Sequence, residues 1–178
     1  PPVNPKAVEV TTHSILWEWT DSTLAADPAN EEGFRIRSTL AGGAQVGPDL
    51  AAGTTSYLET GLTVGKSYTR YFQAFNLTGS SYTAAANGGP LAVSTDTLPN
   101  PPTGFAFSFV GTSIALQWGA NGNDAGVMYT LERAWDGASW AVVLAPASVF
   151  SYSASAGIAE GSTVYYRIRG AVPGGART

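Results

Sequence analysis

The only histidine, His13, stands in TTHS at 11–14, where a turn or an exposed strand end accounts for it better than acid–base work. Carboxylates collect in DSTLAADPANEE at 21–32, and a hard cation such as calcium needs several oxygens at once. Their spacing fits no calcium loop, and Asp, Pro and Asn are turn formers, so this stretch reads as a solvated loop. GANGNDAG at 119–126 reads likewise. RGA at 169–171 lacks the aspartate of an integrin-type motif. The chain has no glycine-rich nucleotide loop, no serine–histidine–acid set and no cluster of zinc ligands. No catalytic residue, cofactor site or metal site is therefore assigned, and the chain is read as a non-enzyme.

Aromatic side chains are the chemistry that remains. Trp17, Trp135, Trp140 and Tyr82 exceed what two small cores require. Flat, exposed aromatics stack on sugar rings or bury themselves against another protein. With Trp19 turned to a core, Trp17 is expected on the outer face of the same sheet. Trp135, beside Asp136-Gly137 at a hairpin turn, is expected as a surface anchor or a lid on a sheet edge. Trp140, in DGASWAVV, reads as core or neighbour packing. Trp17 and Trp135 are thus the candidate surface-binding aromatics, with polysaccharide or protein as the ligand class.

Composition bounds what can position these residues. At 44% hydrophobic and 12% charged, 178 residues can bury a sizeable core, and the length suits two small domains. A net charge of -4 with only nine Lys plus Arg offers no basic footprint for nucleic acid or an anionic membrane surface. Without cysteine there are no disulfides and no thiolate metal sites. No apolar run approaches the ~20 residues of a membrane span. The opening PPVNPKAVEV has neither a signal-peptide pattern nor a start methionine, so the chain is expected to be processed or cut from something longer.

Twenty-one glycines and eleven prolines among abundant Thr, Ser, Val and Tyr describe short strands between turns, and no helical period of useful length appears. The chain is read as all-β. It also repeats itself: SILWEW at 14–19 returns as SIALQW at 113–118, so Ser14, Ile15 and Trp19 recur as Ser113, Ile114 and Trp118. GFRIR at 33–37 returns as MYTLER at 128–133, pairing Phe34 with Tyr129 and Ile36 with Leu131. TSYLETGLTVGKSYTRYFQAFN at 55–76 lines up with 150–172, placing Leu62 on Ile158, Gly65 on Gly161 and Phe72 on Ile168. Between the copies lies LPNPP at 98–102, whose prolines predict a stiff linker and domains held end to end.

Each copy resembles a fibronectin type III domain, with a proline-led first strand, a Trp ending the second strand (Trp19, Trp118), an aromatic-x-aliphatic third strand and a Leu-x-x-Gly-x-x-Tyr corner before strand F. The resemblance implies two immunoglobulin-like β-sandwiches in tandem, over 1–98 and 103–178 with a proline-rich linker at 99–102. It implies that Tyr68, six residues after Leu62, turns its hydroxyl onto upstream backbone while Phe72 shares its buried face. The second copy departs from the pattern. Six residues after Ile158 comes Val164 rather than a tyrosine, and PLAVSTDT at 90–97, a final strand G in copy one, has no counterpart after Val172. Copy two is therefore read as lacking its last strand, either because the chain is cut short or because a neighbouring copy donates it, and as the weaker domain. An Asn closing strand F is common in the family, so the glycosylation sequon NLT at 76–78 reads as coincidence.

The resemblance implies a structural, spacer or assembly module of a bacterial secreted or cell-surface protein, and a filament subunit in its assembly form. The alternative is a carbohydrate- or protein-binding accessory module of a secreted enzyme. Partners are expected to be other domains of the parent protein, or neighbouring copies meeting the open edge of 162–172. No nucleic acid, membrane insertion or cofactor is expected.

Overall fold

A computed structural model of the chain describes residues 1–22, 31–40, 43–84, 91–155, 158 and 161–173. The described elements are fourteen strands: β1 (Val3–Val10), β2 (Ser14–Thr20), β3 (Gly33–Arg37), β4 (Gln45–Ala51), β5 (Ser56–Thr60), β6 (Ser67–Asn76), β7 (Gly79–Tyr82), β8 (Val93–Asp96), β9 (Thr103–Val110), β10 (Ser113–Gly119), β11 (Met128–Ala134), β12 (Ala141–Ala147), β13 (Ser151–Ser155) and β14 (Tyr165–Ala171). The chain divides into two compact units, residues 1–62 with 67–97 and residues 98–178 with the short segment 63–66.

In the first unit β1, β2 and β5 form one antiparallel sheet in the order β1-β2-β5, and the other runs β4-β3-β6-β7 with β8 also on β6. Period-two alternation turns Ile15, Trp17 and Trp19 of β2 inward to meet Phe34 and Ile36 of β3 and Phe72 and Ala74 of β6. Trp19 packs tilted against Phe34 and Phe72, with centroids 5.7 and 5.5 Å away. The expected final strand is β8, which pairs Ser67–Arg70 of β6, while β7 pairs the other end of β6 at Gln73–Asn76. Asn76 shapes the turn into β7, its Oδ1 accepting the Thr78 and Gly79 amides at 3.0 Å and the Thr78 hydroxyl at 2.7 Å. This is a local reason for an Asn at the end of that strand.

In the second unit β13-β10-β9 form one sheet and β12-β11-β14 the other. Ile114, Leu116 and Trp118 of β10 meet Tyr129 and Leu131 of β11, with Val127 beside them. Trp118 and Tyr129 stand edge to face at 6.4 Å. The β9–β10 hairpin turns at Gly111-Thr112, and Gly111 takes φ 61°, a left-handed conformation that a side chain resists. Pro5, Pro48 and Pro146 lie in β1, β4 and β12, each at the end of a strand order, where a missing N–H leaves no gap in the ladder. Among the described residues, β14 pairs only with β11.

Candidate functional site

Trp17 is fully buried, which corrects the expectation of an outer-face binding aromatic. Residues two apart in a strand share a face, so an inward Trp19 carries Trp17 inward with it. Its ring lies edge-on to Phe72 at 5.7 Å. Its indole nitrogen donates to Glu59 Oε2 at 2.9 Å, and the Arg70 Nε donates to the same oxygen at 2.9 Å, while a second Arg70 nitrogen bonds Oε1. Both charged side chains are buried. This set inside the first core escaped the sequence reading. Its signal was there: Arg70 alternates with inward Phe72 and Ala74, and Glu59 sits opposite Ile15 in the register. The repeat puts Leu116, Ser155 and Tyr166 at the corresponding places of the second unit, so the charged pair belongs to the first unit alone.

The remaining assigned residues divide between cores and surface. Trp19, Leu62 and Phe72 are buried in the first core and Trp118 in the second. The indole N–H of Trp19 and of Trp118 is buried without a hydrogen-bond partner, so each ring serves by packing. Tyr68 is half-buried against the first core, with the Arg70 guanidinium 5.0 Å from its ring centre. Ile168 packs half-buried against the second core, and Ile158 is half-buried.

Trp135 is 49% exposed, with the Arg133 guanidinium 5.0 Å from its ring centre. The turn after it is held by Asp136, whose carboxylate accepts the Ala138 and Ser139 amides at 2.9 and 2.7 Å and the Ser139 hydroxyl at 2.6 Å. Those bonds, the serine side chain first, lower the Asp136 pKa from 3.8 to about 2. Trp140 is half-buried, with Arg167 4.2 Å above its ring. Arg167 also donates to Glu132 at 2.7 Å, and Arg169 lies 3.8 Å from the same carboxylate. The hydrogen bond from Arg167 holds the Glu132 carboxyl below its ordinary range. Arg167 therefore lies between an aromatic ring and an acid on the outer face of β14.

The open side of the second sandwich holds an apolar cleft. Phe105, Phe107 and Phe109 project from β9 on the same face as Ile114 and Leu116 of β10, because Phe109 is opposite Ile114 and Phe107 opposite Leu116. Phe107 and Phe109 stay 66% and 62% exposed although they face inward. With Ile158, Val164 and Tyr166 they line a cleft of about 480 Å³. FAFSF is a strictly alternating run, the available sign of a one-faced strand; its exposure depends on what stands opposite.

His13 lies in the exposed β1–β2 turn, its Nδ1 2.8 Å from the Thr12 hydroxyl. Most of the carboxylate loop, residues 23–30, lies outside the described residues. In the matching loop of the second unit, the Asn121 and Asn123 side chains bind Asn100 and Pro101 backbone at 2.6 to 2.9 Å, and the Asn100 side chain donates to the Asn121 carbonyl at 2.9 Å, so asparagine there fixes the chain entering β9. Among the described residues, no three of His, Cys, Asp and Glu come together as a metal site would require.

Neither a protein-family model nor a curated protein sequence matches the chain. Solved structures do. A two-domain fibronectin type III segment of chicken tenascin aligns with TM-score 0.63 and 16% identity, covering 98% of this chain and 93% of that one. The fold is that of tandem fibronectin type III domains. Chicken CNTN1 FN1–FN3 domains align at TM-score 0.43 and 14% identity, over 98% of this chain and 62% of that one. A computationally redesigned β-sandwich aligns at TM-score 0.41 and 21% identity, over 55% of this chain and 94% of that one. In fibronectin type III terms, the sheets β1-β2-β5 and β13-β10-β9 are the corresponding halves of the two repeats, and β6 and β14 are corresponding strands.

Proposed function

We propose that the chain is a non-catalytic structural module of a secreted or cell-surface protein, acting as a spacer or assembly unit. The observation that carries this reading is the internal pairing of its charges: the buried Glu59 with the buried Arg70, and Glu132 with the half-exposed Arg167, tie strand to strand instead of facing a substrate-sized pocket. The likeness to the tenascin segment supports it at the level of fold. A module that carries load should resist extension. Pulling the chain by its ends in a single-molecule instrument is expected to give two unfolding events of about 30 nm, the contour of 80–95 residues at ~3.5 Å each. Extension without a resisting event from either unit would refute the spacer role.

Trp135 favours a second reading, an accessory module that grips polysaccharide, because its ring is half exposed beside a cation. Titrating soluble and insoluble glycans while following tryptophan fluorescence tests it. A saturable shift that Trp135→Ala abolishes would favour this reading over the structural one.

A further inference from the structure

The β6–β7 hairpin turns at Asn76-Leu77-Thr78-Gly79, and NLT at 76–78 is the only Asn-x-Ser/Thr run in the chain. The turn uses one end of the Asn76 carboxamide. Its Oδ1 accepts the Thr78 and Gly79 amides and the Thr78 hydroxyl, while no described residue bonds its Nδ2. That nitrogen keeps its access to solvent. Leu77 is 92% exposed, and Thr78 and Gly79 are exposed beside it.

The second unit builds a closely similar turn from a different residue. Asp136 accepts the amides two and three positions on, Ala138 and Ser139, together with the Ser139 hydroxyl. Those bonds hold its carboxyl well below the ordinary range, so a carboxylate is well suited to such a turn. The turn at 76 asks only for oxygen acceptors, which aspartate supplies as well. The amide nitrogen of Asn76 is surplus to it.

We propose that Asn76 is an N-glycosylation site, its Nδ2 carrying a sugar through the anomeric carbon. Asparagine, a residue other than proline and a threonine hydroxyl two positions on are what the acceptor requires, and all three stand on an exposed hairpin tip. The donor class is an oligosaccharide on a polyprenyl pyrophosphate, brought to the chain by a membrane-bound transferase. The bond from Nδ2 to the anomeric carbon forms, the bond from that carbon to the pyrophosphate oxygen breaks with its electron pair leaving on the oxygen, and the amide gives up one proton. Oδ1 takes no part. The three turn bonds therefore persist, and the glycan leaves a fixed turn into solvent. It lies next to Leu77, whose apolar side chain it covers. It also stands at the start of β7, which ends its sheet order and carries neither charge nor proline, so a bulky hydrated group there guards an edge that the sequence leaves bare.

The inference rests on the secreted or cell-surface part of the proposed function, because such transferases act on chains that cross a membrane. The pulling experiment carries no information on Asn76, so either result can fail while the other stands.

The 178-residue chain, given a cleavable secretory leader in a eukaryotic host, is expected to emerge with a single glycan. Its intact mass should exceed that of the bare polypeptide and return to it on treatment with peptide N-glycosidase, which leaves aspartate at 76. Thr78→Ser should keep the glycan, and Thr78→Val should lose it. Asn76→Asp retains the oxygen acceptors and removes the nitrogen, so it should carry no sugar and melt with the unglycosylated chain. Should secretion fail, translation of the chain into microsomes gives the same reading as a shift in gel mobility. The proposal is overturned by a secreted, folded chain of bare mass or by sugar that survives Asn76→Asp. A marked fall in the melting temperature of Asn76→Asp would overturn it too, by showing that the turn needs the nitrogen.

Discussion

At the scale of single residues, the buried trio of the first unit makes the firmest predictions. Trp17→Phe and Trp19→Phe remove similar ring volume, but only Trp17 gives its N–H to a buried carboxylate. Trp17→Phe is therefore expected to cost about 1 kcal/mol more than Trp19→Phe in denaturant titrations. Arg70→Met leaves Glu59 buried and uncompensated, a loss of about 3–5 kcal/mol. Glu59→Leu with Arg70→Met should recover most of it, because removing both charges removes the desolvation cost together with the attraction. A double variant as unstable as the single one would contradict that account. Acid acts on different residues. Hydrogen bonds from Arg35 lower the Asp49 pKa from 3.8 to about 2, as those from Ser139 and Ala138 do at Asp136. A depressed carboxyl contributes stability that is present in full above its unfolded pKa and is lost as pH falls through the folded one. The melting temperature should drop between about pH 4 and pH 2, and Asp136→Asn should flatten that drop.

At the scale of elements, sheet order explains tolerances that composition alone would not. Three strands carry a proline, and each is an edge strand, so the missing N–H faces no partner. The opposite case is Gly33, where an added Cβ would land on the Leu50 carbonyl oxygen and beside the Phe75 ring. Gly33→Ala is expected to cost about 3 kcal/mol, by forcing β4 away from β3, and a thermal melt of the variant checks it. Strand identities in β2, β3, β10 and β11 were legible in the sequence because their apolar residues alternate and recur between the copies. The short β7 was not: GSSY has no apolar alternation, and it exists as a strand because Asn76 turns the chain back along β6.

At the scale of the whole molecule, each unit has its own core cluster, so unfolding is expected in two transitions. The second unit should unfold first. Its β9 phenylalanines remain largely in water, so folding gains less apolar burial there than in the first unit, where β8 covers the equivalent strand. Urea titrations followed by tryptophan fluorescence, with Trp19→Phe and Trp118→Phe marking the units, would assign the transitions. A first transition that belongs to Trp19 would reverse the order.

The sequence by itself determined the all-β class, the two copies and the inward aromatic faces, because period-two alternation and a repeated pattern are properties of the chain alone. It also determined that Trp17 points inward, since a residue two positions from an inward tryptophan shares its face. Partnership was decided only by the tertiary structure. Glu59 and Arg70 lie eleven positions apart on strands of different sheets, and only the packing of those sheets brings them together out of water. Phe107 and Phe109 alternate as any core residues do, yet they stay 66% and 62% exposed, because coverage depends on what folds opposite them. Alternation specifies which way a side chain points; what it meets there is set by the elements that fold opposite it.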